Sequence, residues 1–95
     1  MEPITLVVLA VIAIASAAST ITWRAINSWI TLNKVPEGAA TIIKEKLQSG
    51  NYKVVSGIFT TEGVLKAQRV WEASRMDEEL TGEFEKSGGV IVVKF

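Results

Sequence analysis

The sequence predicts an α+β protein: a single N-terminal transmembrane helix with an amphipathic extension, then a small α-β-β-α-β domain whose three strands lie in the order 2-1-3. Three observations predict it. Residues 4–23 are uncharged and mostly Ile, Leu, Val and Ala. Residues 36–95 carry eight Lys/Arg and nine Asp/Glu. Within that second part, three short runs read as strands and two stretches place apolar residues at helical spacing. The chain therefore divides into residues 1–35, an anchor with an interfacial extension, and residues 36–95, a small α+β domain. A domain of about sixty residues is near the lower limit for folding alone, so association with a partner is expected.

The first element is "ITLVVLAVIAIASAASTITW", residues 4–23. A helix rises about 1.5 Å per residue, so about twenty residues match a hydrocarbon core roughly 30 Å thick. A cleaved signal peptide calls for positive charge ahead of the run. Here the side-chain charge ahead of it is Glu2, so an uncleaved span is expected. Arg24, Lys34, Lys44 and Lys46 follow the run, and Lys and Arg favour the cytoplasmic side. The expected topology places the N-terminus outside and the C-terminal domain in the cytoplasm. Ala10, Ala13, Ala17 and Thr20 form a stripe of small side chains on which another membrane helix could dock.

Past Arg24 the helix is expected to continue with two unlike faces. Trp23, Ile26, Trp29 and Ile30 share one arc, and Arg24, Asn27, Ser28 and Thr31 lie opposite. Trp23 and Arg24 suit the membrane interface, the arginine reaching outward. Ile26, Trp29 and Ile30 then need cover from headgroups or a partner. A helix over residues 4–33 would be about 45 Å long, more than the hydrocarbon core accommodates.

Pro36 ends that helix. "EGAATIIKEKLQSG", residues 37–50, reads as a short helix with Ile43 and Leu47 at i, i+4 and Gly50 as its stop. "YKVVSGIFT" and "VLKAQRVWEA" read as strands joined by the three-residue loop Thr61-Glu62-Gly63. With Thr60 facing Val64, the pairs Phe59–Leu65, Gly57–Ala67, Val55–Arg69 and Lys53–Trp71 share one face. Gly57 is expected to give the Trp71 ring room. Met76, Leu80 and Phe84 form a helical stripe that Ser74 can cap and that Gly88-Gly89 ends. "VIVVKF" is the third strand. A helical crossover makes it parallel to the second strand, with the Tyr52 strand central. The expected core is Phe59, Leu65, Trp71, Ile91 and Val93, under the helices. Tyr52, Val54, Ile58, Val70, Val90 and Val92 then form an uncovered apolar face, a candidate partner surface, unless the helices divide between the two faces.

Chemistry is thinly represented. The net charge is zero, and no basic stripe suggests nucleic acid. There is no Cys and no His, which excludes disulfides, thiolate chemistry, His/Cys zinc sites within one chain and His-dependent triads. Asp77, Glu78, Glu79, Glu83 and Glu85 read as a solvated helix face, acidic near its N-terminus as the macrodipole favours. Gly88-Gly89 lacks the spacing and lysine of a phosphate loop. No catalytic residue, metal, cofactor or small-molecule substrate is expected. The expected partners are the lipid bilayer and other membrane-protein subunits or further copies of the chain.

The expected function is a non-catalytic, single-pass accessory subunit of a larger membrane-protein assembly. The alternative is a self-assembling structural subunit of a filament or virion membrane. In outline, a hydrophobic N-terminal helix followed by a small sheet domain resembles type IV pilin-like subunits, and that resemblance implies the filament form of the alternative. The chain departs from the pilin pattern in having no basic leader ending in glycine, in placing Glu2 within the first three residues, and in flanking charges that favour a cytoplasmic domain.

Overall fold

The computed structural model describes the backbone of Ser16–Ala17 and residues 20–95. In chain order the elements are β1 (Ser16–Ala17), β2 (Thr20–Ile21), α1 (Trp23–Asn33), β3 (Ala39–Lys46), β4 (Tyr52–Phe59), β5 (Leu65–Ala73), β6 (Arg75–Met76), α2 (Glu78–Ser87) and β7 (Val90–Lys94). The fold is α+β, as the sequence predicts. Strands β5-β4-β3-β7 form an antiparallel four-stranded sheet, and β1 runs parallel along the outer side of β5. A second, two-residue parallel pair joins β2 to β6.

Both helices pack on one face of the sheet. Ile26 and Ile30 of α1 and Leu80 and Phe84 of α2 are buried with Ala40, Ile42, Val54, Ile58, Trp71 and Ile91. Full burial of one such large apolar side chain is worth about 1.5–3 kcal/mol, so these contacts carry much of the fold. The second face holds a separate cluster of Ile43, Val55, Phe59 and Val70, with Leu65 beside it.

Several expectations are corrected. Residues 37–50 do not form a helix: residues 39–46 are strand β3, between β4 and β7. Ile42 faces the helices and Ile43 the opposite side, both buried. A central strand covered on both faces reads as a continuous apolar run, which periodicity alone does not separate from a helix. The inserted strand makes the sheet four-stranded rather than 2-1-3, separates β4 from β7, and leaves β7 antiparallel to β5.

The β4–β5 loop forms where expected. Thr60 N–H donates to Val64 C=O at 2.9 Å, and Gly63 takes φ 85° in the left-handed region. Phe59 faces Leu65, but Ile58 faces Ala67, so Lys66 is an extra residue in a β-bulge. The bulge shifts the remaining register by one and moves every later β5 side chain to the other face. Trp71 therefore sits opposite Val54, and Gly57 lies opposite Gln68 rather than beside Trp71. Consequently Tyr52, Val54 and Ile58 lie on the helix-covered face, while Phe59 and Leu65 lie on the other.

The expected unbroken helix over residues 4–33 is also corrected. Residues 16–17 and 20–21 pair as strands, and α1 starts at Trp23. The β-branched run Thr20-Ile21-Thr22 favours extended backbone. The Thr22 hydroxyl caps the new helix, accepting from Ala25 N–H at 3.1 Å. Among the described residues no helix is long and apolar enough to cross a membrane. The rest of the predicted span, residues 4–15 and 18–19, lies outside the described residues.

Candidate interaction surface

The two helix starts are tied together by one side chain. Asp77, rather than the expected Ser74, is the N-cap of α2, and its Oδ1 accepts from Leu80 N–H at 2.9 Å. The same oxygen accepts from Trp23 N–H of α1 at 3.2 Å, and Asp77 N–H donates to Ile21 C=O at 2.9 Å. One carboxylate thus serves two helix N-termini, where backbone N–H groups lack helical partners. At the other end of α2, Gly88 adopts the left-handed cap, and Gly89 N–H donates to Phe84 C=O at 2.9 Å.

That frame delivers β7 to the sheet's edge. Phe95 N–H donates to Gly38 C=O at 3.0 Å, in register with Val93 opposite Ala40 and Ile91 opposite Ile42. Backbone amides alternate sides along an antiparallel strand, so Val90, Val92 and Lys94 turn their N–H and C=O groups away from β3. Among the described residues no strand pairs with that side. Val90 and Val92 also expose their side chains, Val92 at 52%. An exposed edge with apolar side chains is a template for another strand.

Beside this edge lies a cleft of about 420 Å³, lined by Ala39, Thr41, Phe59, Val92, Lys94 and Phe95 among others, with Glu37 also in its wall. Glu37 has φ 60°, in the left-handed region that favours glycine. It occupies the third position of a turn closed by Gly38 N–H to Val35 C=O at 3.2 Å. Gly38 has no room for a side chain: a Cβ there would overlap the Phe59 carbonyl oxygen and come within 2.5 Å of Val35 Cγ2.

The sequence-selected residues fall into three groups. Ala10 and Ala13 lie outside the described residues. Ala17 is in β1, and Thr20, in β2, accepts through its hydroxyl from Arg75 Nη2 at 3.4 Å. Trp23, Arg24, Ile26, Trp29 and Ile30 are all on α1, but the protein's own sheet covers the apolar arc. Ile26 and Ile30 are buried, and Trp29 meets Trp71 edge-on at 5.8 Å and 87°. Arg24 is exposed. The predicted partner face is split: Tyr52, Val54 and Ile58 lie under the helices, whereas Val70, Val90 and Val92 lie on the second face, with Val70 buried. The edge and cleft unite Val90 and Val92 with Thr41, Phe59 and Lys94, which sequence reading missed because β3 was not recognisable as a strand.

Among the described residues no group of three His, Cys, Asp or Glu side chains is placed to hold a metal ion. The acidic residues Glu78, Glu79 and Glu85 are exposed on α2. No protein-family model, curated protein or solved structure matches the chain.

Proposed function

We propose that the protein is a non-catalytic interaction subunit that binds an extended segment of a partner along β7, with alternate side chains of that segment entering the adjacent cleft. The observation that carries this reading is the outward turn of the Val90, Val92 and Lys94 amides beside exposed valines. Strand addition draws affinity from main-chain hydrogen bonds and specificity from alternate side-chain pockets. The edge supplies the attachment that an accessory subunit of a larger membrane-protein assembly requires.

Val92→Pro tests it. Proline removes an outward N–H while leaving the β3 ladder intact, so a cost of about 1 kcal/mol or less is expected. Partner recovery on purification of the full chain from its native source should fall at least about tenfold, the loss of roughly 1.4 kcal/mol of binding. Unchanged recovery with a folded Val92→Pro chain refutes the reading.

A second reading, self-assembly, is favoured by symmetry in the same edge. The outward amides at 90, 92 and 94 are evenly placed about Val92. Two copies related by a two-fold axis there would pair Val92 with Val92 and Val90 with Lys94 in a continuous sheet. Sedimentation of the purified full chain distinguishes the readings: a dimer that Val92→Pro abolishes supports self-pairing.

A further inference from the structure

We propose that the cleft between β3, β4, the β5–β6 junction and α2 binds a small phosphate monoester, its phosphate held by Lys44 and Arg75. The cleft lies on the helix-covered face and does not depend on the proposed function. Along β3, Ile42, Lys44 and Lys46 point to that face. Ile42 is buried, whereas Lys44 and Lys46 are exposed, so the apolar core stops at the Phe84 turn of α2. Tyr52 begins β4 opposite Lys46 and opposite Ala73 of β5. Ser74, Arg75 and Met76 follow Ala73 directly, and Thr81 lies one turn before Phe84. These stretches line one cleft of about 350 Å³, walled by Lys44, Tyr52, Ser74, Arg75, Met76 and Thr81. That size falls in the range of small-ligand sites, about 300–1,000 Å³.

The lining holds two cations and three hydroxyls but no carboxylate. The chain as a whole has zero net charge, so the positive excess is local. Among the described residues the ion pair is Lys86 with Glu83, within α2, and no carboxylate pairs with Lys44 or Arg75. Asp77, next to Met76, turns its Oδ1 to Leu80 and Trp23 N–H. Ring faces hold the lysines instead. Lys44 Nζ lies 5.2 Å from the Phe84 ring centre, and Lys46 Nζ lies 5.4 Å from that of Tyr52. A ring face orients an ammonium without neutralising it. Arg75 donates through Nη2 to the neutral Thr20 hydroxyl at 3.4 Å, which steadies the guanidinium and leaves its charge and other N–H groups for a ligand.

The ligand class follows from these groups. A guanidinium fork matches two phosphate oxygens, and an ammonium adds a point charge at a third. Two cations balance the near-dianion that a phosphate monoester carries at neutral pH. Met76 and the Tyr52 ring give the ligand's body apolar walls, and the Tyr52 hydroxyl can donate to it. Thr81 Oγ1 already donates to Asp77 C=O at 2.9 Å, so toward a ligand it only accepts. A small body that carries its own hydroxyl fits this lining. Glycerol phosphate has that chemistry, either free or as the headgroup of a lysophospholipid.

Nuclear magnetic resonance of the full chain's backbone amides, titrated with glycerol phosphate at constant ionic strength, tests the proposal. The expected result is saturable shifts at Lys44, Tyr52, Arg75, Met76 and Thr81, with a Kd of about 1 mM or tighter, and none with glycerol alone. Lys44→Gln and Arg75→Gln, both at exposed positions, should each weaken binding at least about tenfold, whereas Lys34→Gln should not. Flotation with phosphatidylcholine vesicles, with and without lysophosphatidic acid, distinguishes the two sources. Added vesicle binding that needs Lys44 and Arg75, with no saturable response to the soluble ester, assigns the site to a lipid headgroup. Saturable binding of the soluble ester assigns it to a free metabolite. Two results overturn the proposal. One is no saturable shift together with no vesicle binding that depends on Lys44 and Arg75. The other is binding that persists unchanged in folded Lys44→Gln and Arg75→Gln chains.

Discussion

Replacing Asp77 with alanine removes one oxygen that two helices share. Its Oδ1 accepts from Leu80 N–H at 2.9 Å and from Trp23 N–H at 3.2 Å, both in a half-buried setting. Loss of the α2 cap costs about 1 kcal/mol. Loss of the second, charge-assisted bond adds about 1.5 kcal/mol, because Trp23 N–H is left without its acceptor. The sum for Asp77→Ala is about 2–3 kcal/mol. Asp77→Asn keeps an oxygen in the same place and loses only the charge facing two helix N-termini, at a cost of about 1 kcal/mol or less. Urea unfolding of the full chain, followed by tryptophan fluorescence, reads both, since Trp29 and Trp71 form one edge-on pair in the core. The alanine midpoint should fall by roughly 1–2 M, and the asparagine midpoint by less than half of that. An alanine variant within about 0.5 kcal/mol of the natural chain would falsify the shared cap. An asparagine variant as unstable as alanine would show that charge rather than geometry holds the two helices.

Other substitutions test separate parts of the fold. Gly38→Ala should cost at least about 2 kcal/mol in urea unfolding, because its Cβ would meet the Phe59 carbonyl, a backbone group that cannot step aside. Glu37→Gly should gain about 1 kcal/mol by relieving a left-handed glutamate, and a loss in the same assay would mean that the Glu37 side chain holds the turn. Ser56 is fully buried with an Oγ that has no partner among the described residues, so Ser56→Ala should be neutral or stabilising by about 1 kcal/mol. A loss above about 1 kcal/mol on thermal unfolding would show that the hydroxyl is bonded.

The parts of the fold legible in the sequence are those set by short-range chemistry. The Leu80–Phe84 stripe and Gly88 mark α2, and Thr61-Glu62-Gly63 marks the β4–β5 loop, because spacing and left-handed glycine act within a few residues. The arc of Ile26, Trp29 and Ile30 was equally visible, but nothing in it says whether lipid, a partner or the chain's own sheet covers it. Strand β3 was hidden because a strand covered on both faces loses its alternation, as Thr41-Ile42-Ile43 does. Lys66 was hidden for another reason. A bulge has no composition of its own, yet it exchanged the faces of β5 and moved Trp71 from beside Lys53 to beside Val54. The candidate surface inherits both effects: Val90 and Val92 were recognisable as exposed valines, whereas their neighbours Thr41 and Phe59 required β3 in place.

The central claim is that β7 is a docking edge, and amide hydrogen exchange at its five residues tests it most directly. Val90, Val92 and Lys94 should exchange rapidly in the dilute full-length protein, while Ile91 and Val93, paired with β3, are protected. In the assembly recovered from the native source, the three outward amides should become protected together. Unchanged exchange at all three in the assembled state, with protection gained on another surface, would contradict the account.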